Sequence, residues 1–245
     1  MNMHDREKEM TMQQHQTAYI SRVRFARKGS LTYIGHLDMM RTFERSIRRS
    51  GLPLLHSQGY NPRPMLVFAL PLGVGIQTVD DYVDIYLSEP IEPEAVLTML
   101  QPYLPPDLSV LAADSLPESV GSIMAIVTTA RYIFRAPGIR DAVDRLMQQS
   151  EIIVEKMSKG QKRNVDIRSL ILNTENTEEM DPDTAEITVC AGSSQNLRPD
   201  LFLQALETYT GYKQEFARNA EIVRTGLFYG TYPDIHRILG ESKHA

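Results

Sequence analysis

The chain has 245 residues, 42% of them apolar and 23% charged, with a formal net charge of −5; that is length for two domains of roughly a hundred residues, each able to bury a core without crosslinks. A single cysteine, Cys190, excludes an intramolecular disulfide and a thiolate-held cluster or zinc site, and so low a thiol count fits a reducing compartment, the cytoplasm. No stretch approaches the about 18 consecutive apolar residues that cross a bilayer, and the polar Met1–Thr17 reads as a disordered leader rather than a signal peptide.

Ala18–Ala26 alternates, with Ile20, Val23 and Phe25 set among Ser21, Arg22 and Arg24, and predicts a half-buried strand. A helix is expected from Thr32 or Gly35 to Ser50. Its buried stripe would be Ile34, Leu37, Met40, Phe43 and Ile47, with Gly51 past the last turn and Pro53 barring continuation. Leu52–Leu55 reads as short and extended, Met65–Leu70 and Asp81–Leu87 as strands, Ala95–Leu104 as a second helix, and Leu108–Ala112 as a closing strand. This β-α-β-β-α-β order predicts a ferredoxin-like half, an antiparallel sheet with two helices on one face.

Pro117–Ser122 reads as a linker. A second half is expected from the strand Ile126–Phe134, the helix Ile139–Gln149, strands over Ile152–Met157, Asn164–Leu172 and Ala185–Ala191, the helix Pro199–Tyr209 and the strand Glu221–Leu227. The fold class is therefore α+β, two tandem ferredoxin-like halves at 18–116 and 123–230. Glu175–Asp183 is expected at a solvated hairpin tip, and Thr231–Ala245 as a frayed tail.

Charge is segregated. From Tyr19 to Arg63 nine Lys and Arg residues face only Asp38 and Glu44, whereas Gln77–Ser119 holds nine acids and no Lys or Arg. One basic face results, suited to an anionic partner. Its candidates are Arg24, Arg27 and Lys28 at the end of the first strand, then His36, Arg41, Arg45, Arg48 and Arg49 along the helix. Arginines at this spacing suit a phosphate backbone, and equally a solvated helix face paired through Asp38. In the loop Ser57–Pro64, Tyr60 could stack on a base with Ser57, Asn61 and Arg63 beside it, or could plug the core. Lys159, Lys162, Arg163 and Arg168 form a second basic patch, whose other reading is a solvated hairpin. Phosphate-loop, dinucleotide, zinc-protease and serine-hydrolase motifs do not occur. No metal site or cofactor is expected, and Cys190 reads as a small buried hydrophobe.

The blocks Val23–Gly29, Gly35-His36-Leu37-Asp38, Arg48–Pro53, Ser57–Pro64 and Phe68–Gly75 resemble the radical-SAM-linked protein family, a bacterial domain of unknown function. Val165–Arg168, Asn196-Leu197-Arg198-Pro199 and Arg224-Thr225-Gly226 also look like its blocks, so the resemblance covers roughly Tyr19–Leu227. It implies a radical-SAM protein as partner, beside or fused to this domain, and its gene neighbours suggest tRNA or rRNA. Tandem ferredoxin-like halves with a histidine on the first helix are also similar to the metal-independent endoribonucleases that trim CRISPR repeat RNA.

Three functions follow as expectations. The first is a non-catalytic accessory of a radical-SAM system that binds RNA or presents a substrate through the basic helix and loop. The second is a metal-independent ribonuclease with His36 as the one candidate general base. The third is a module whose basic helix docks on the radical-SAM partner.

Overall fold

The computed structural model describes residues 18–58, 60–158, 160–175 and 181–239; the expected leader, residues 176–180 of the acidic run and the end of the expected tail lie outside them. Among the described residues the architecture is mixed α+β: one nine-stranded sheet with helices packed on it, and a separate two-stranded sheet.

In the first half β1 (Tyr19–Arg27) lies between β3 (Ile76–Leu87) and β4 (Leu108–Pro117), while β2 (Leu66–Phe68) pairs with β3 at Val83–Ile85. Val23 and Phe25 point to one face, with Val83 and Ile85. There they bury against Met39, Phe43 and Ile47 of α1 (His36–Ser50) and Val96 and Leu100 of α2 (Pro93–Leu100). Alternation along the strand therefore turns Arg22 and Arg24 to the face away from α1. Arg22, opposite Asp84 in register, donates to both its carboxylate oxygens at 2.7 and 2.9 Å, and Asp84 also accepts from the Ile123 N–H.

In the second half β5 (Thr129–Arg135) lies between β9 (Thr184–Cys190) and β10 (Glu221–Thr231), with β8 (Ile171–Glu175) outside β9. Its helices are α4 (Ile139–Met147) and α5 (Pro199–Thr210). The strand orders β4-β1-β3-β2 and β10-β5-β9-β8 thus repeat one arrangement. A parallel pairing of Ile76–Thr78 with Ile222–Arg224 joins the two into one sheet, and every other pairing is antiparallel. The core follows suit: Ala69, Leu70, Ile76 and Tyr82 from the first half pack in the same cluster as Tyr132 and Phe134.

Several elements differ from the sequence expectation. On α1 the buried face is Met39, Phe43 and Ile47 flanked by Thr42, Ser46 and Ser50, whereas Leu37 is exposed. The three hydroxyls are tolerated because each donates to a carbonyl: Thr42 to Asp38, Ser46 to Tyr103 and Ser50 to Ile47. A 3-10 turn over Gln101–Tyr103 follows α2, and Ser46 bonds to it. The strand expected from Asp81 begins at Ile76, because the polar Thr78 and Asp80 are buried by bonds to Arg224 and Tyr82. The expected linker holds a 3-10 turn, Glu118–Val120, and leads to a short helix α3 (Ile123–Ile126) where a strand was expected to start.

The single strand expected over Asn164–Leu172 is two. β6 (Ile153–Ser158) and β7 (Gln161–Asp166) form the separate hairpin, and β8 starts only at Ile171. The break lies at Asp166, whose carboxylate accepts from the Ile152 and Arg168 N–H groups and folds the chain into a 3-10 turn. The tail is not frayed through its first part. β11 (Asp234–Arg237) pairs with β10, and Leu239 is buried. Among the described residues no helix is long and apolar enough to cross a membrane.

Candidate functional site

The exposed flank of α1 forms a groove of about 760 Å³ with Leu31, Ile34 and Tyr103 as its apolar lining. Arg45, Arg48 and Arg49 line it together, Arg49 lying over the Tyr103 ring at 5.4 Å. Among the described residues none of these three is ion-paired. Arg41 instead bonds Asp38 at 3.0 Å, one turn back. Arg48 and Arg49 also occupy the last turn, where cations complement the helix dipole.

The loop after α1 is closed on itself. Ser57 donates its N–H to the Arg63 carbonyl at 2.8 Å, and the Ser57 hydroxyl accepts the Arg63 N–H at 3.1 Å. Asn61 and the Arg63 side chain are exposed, and Tyr60 is fully exposed, so it does not plug the core. Ser57 is thereby a clasp that closes the loop through its N–H and its hydroxyl oxygen.

The basic strand does not extend this face. Arg24 looks to the opposite side, 3.9 Å from Asp80. Arg27 is 1% exposed and donates to the Gly73 and Ile76 carbonyls at 3.0 and 2.6 Å, which puts its guanidinium out of reach of any surface ligand. Lys28 stays exposed and its backbone N–H bonds the Asp107 carbonyl. In the second patch, Lys162 pairs with Glu155 at 2.8 Å, Arg163 is exposed, and Arg168 donates to the Gln149 carbonyl. Lys159 lies outside the described residues. This hairpin belongs to the second half, where the Ile153 N–H bonds the Tyr209 hydroxyl on α5.

His36 opens α1 and packs edge-on against Phe68 with ring centroids 5.4 Å apart. It lines a space of only about 10 Å³, together with Arg27 and Asp81, too small for a phosphate. Burial, and then the positive charge of Arg27, hold its pKa below the ordinary 6.5. The unfolded chain therefore binds a proton first as pH falls, so His36's contribution to stability is full above pH 6.5 and is lost as pH drops through the folded value. Urea midpoints measured from about pH 7 to 5 should show this downward slope, and His36→Gln should flatten it.

Charge alone passes over a second constellation. Between the halves lies a cavity of about 440 Å³ whose walls come from Leu70–Val74, Asn196, Arg198–Asp200, Leu203, and Ile76, Tyr132, Ile222 and Arg224 of the sheet. Arg224 is 1% exposed; it donates to the Leu70 carbonyl at 2.8 Å and pairs with the buried Asp81. Burial pulls its guanidinium down, but Asp81 and Tyr132 outweigh that and raise it. Asp80 beside it accepts from the Tyr82 hydroxyl at 2.7 Å and from Arg237 of β11 at 3.0 Å. Three sequence blocks that carry the resemblance, at Phe68–Gly75, Asn196–Pro199 and Arg224–Gly226, supply much of this cavity's wall. That distant blocks of one pattern should share a place was the available signal, though it assigned them no role.

Burial raises the Cys190 thiol, and among the described residues no group of three or more His, Cys, Asp or Glu side chains is placed to hold a metal ion. Comparison with curated protein sequences finds no match. Residues 21–199, well over half of the chain, match the family described as an uncharacterized protein conserved in bacteria (DUF2344), and the chain belongs to that family.

Proposed function

We propose that this protein is a non-catalytic accessory of a radical-SAM system that binds RNA, tRNA or rRNA, through the flank of α1 and the Ser57–Pro64 loop. The observation that carries the reading is the groove lined by Arg45, Arg48 and Arg49, three cations without a carboxylate partner among the described residues. Arg63 and the fully exposed Tyr60 on the neighbouring loop add a phosphate contact and a stacking surface. The radical-SAM partner rests on the sequence blocks from Val23 to Gly75. Each half, 18–116 and 123–230, is read as ferredoxin-like, which the repeated strand order supports. Arg24, Arg27 and Arg168 have no part in this surface, because their side chains are turned away or already bonded within the fold.

The test is binding of bulk tRNA followed by fluorescence anisotropy across a salt series. Four phosphate contacts, at Arg45, Arg48, Arg49 and Arg63, give an expected log–log salt slope of about −3. Arg45→Ala with Arg48→Ala should weaken binding about tenfold and reduce that slope by about two contacts' worth. Both side chains are exposed, so folding should change by less than about 0.5 kcal/mol per site. No affinity at low salt, or an unchanged slope in the double variant, would falsify the RNA reading. A radical-SAM protein that co-purifies after nuclease treatment and is not displaced by tRNA would favour docking of the same face on protein.

A further inference from the structure

On the RNA reading of the α1 face, its cations alone do not distinguish paired from unpaired strands, because both carry phosphates. The groups set among the cations do. Arg45, Arg48 and Arg49 share their groove with an apolar lining, Leu31, Ile34 and the Tyr103 ring. A duplex presents phosphate and ribose along its flank and keeps its base faces stacked inside, so it has little apolar surface to set against that lining. An unpaired base has: its flat faces are free to lie on an aromatic ring or a guanidinium plane. Arg49, held over Tyr103 at 5.4 Å, offers such a plane.

Tyr60 adds a free ring. It is fully exposed, yet its loop is not slack. The two Ser57–Arg63 bonds and the bridge between His56 and Pro64 close the base of the loop, and Pro62 and Pro64 fix φ on one side of it. A ring presented on a closed loop loses little freedom when a base stacks on it. A duplex offers that ring sugar and phosphate, whereas a base outside the stack offers a face. Arg63, exposed on the same loop, can then take the phosphate beside that base.

We propose that the α1 face selects unpaired RNA, a loop or a single-stranded end, with a base stacked on Tyr60 and phosphates on Arg45, Arg48, Arg49 and Arg63. The experiment follows, by fluorescence anisotropy on the full chain, a labelled oligoribonucleotide of about twelve adenines and cytosines, which cannot pair with itself, alone and annealed to its complement. At equal salt the single strand should bind at least about tenfold more tightly than the duplex. Tyr60→Ala should weaken the single strand about tenfold, leave the duplex unchanged and keep the salt slope of both, because no charge is removed. Tyr60→Phe keeps the ring and should bind as the parent does. The chain has no tryptophan, so Tyr60→Trp supplies a single reporter, whose emission the single strand should quench and the duplex should not. Duplex bound as tightly as single strand, Tyr60→Ala weakening both alike or neither, or unquenched Tyr60→Trp emission with the single strand bound overturns the proposal and leaves the RNA reading standing. Neither probe bound at low salt overturns both.

Discussion

Replacing Arg224 with methionine is expected to lower the folding free energy by about 3–5 kcal/mol, read from urea midpoints at neutral pH. Arg224 and Asp81 are both buried and paired, at the line where β3 and β10 join the halves. Taking away the guanidinium leaves Asp81 as an anion without its partner and the Leu70 carbonyl without its donor. Asp81 cannot turn to water, because its side chain is almost fully buried. Adding Asp81→Asn should recover at least half of the loss, since the charge goes while an oxygen still accepts the Tyr82 N–H. A loss below about 1 kcal/mol for Arg224→Met would mean that water reaches the pair.

Arg27→Met is the second large effect, about 2–4 kcal/mol, with tRNA affinity per folded molecule unchanged. Its two terminal bonds tie the Gly73 and Ile76 carbonyls, and with them the Leu70–Ile76 connection, to the end of β1. Burial, opposed by Asp81 and reinforced by Arg224, brings this guanidinium down to about 10, so it stays charged at neutral pH. Met restores bulk but neither donor, leaving the buried Ile76 carbonyl and the part-buried Gly73 carbonyl without it. Arg45→Ala should do the reverse, sparing stability and weakening tRNA. If Arg27→Met weakened tRNA binding in proportion to Arg45→Ala while keeping its stability, the division between brace and surface drawn for β1 and α1 would fail.

These two arginines show where reading by charge stops. Arg27 and Arg45 are the same residue type within one basic run, and nothing local separates them. Arg45 stands on a helix whose outer flank can be counted from its period, so its exposure follows from sequence. Arg27 stands just after an irregularity in strand pairing, where β1 slips against both β3 and β4, and alternation no longer tells which way a side chain points. The same limit explains Thr78 and Asp80: polar residues ahead of the expected strand became part of it because partners 140 or more positions away satisfied them.

Alternation and helical period by themselves determined most strand and helix positions, the order of elements in each half, and the cationic flank of α1, because these depend on neighbours within a few residues. Pairing of β3 with β10, the burial of Arg27 and Arg224, the apolar cavity and the hairpin set off by Asp166 were decided only by tertiary structure. Each arises from contacts between segments far apart in sequence, where a charge is buried or exposed according to the partner it meets. The basic face remains the RNA surface proposed here, narrowed to one helix flank and one loop; behind it Arg27 braces the first half and Arg224 ties the two halves together.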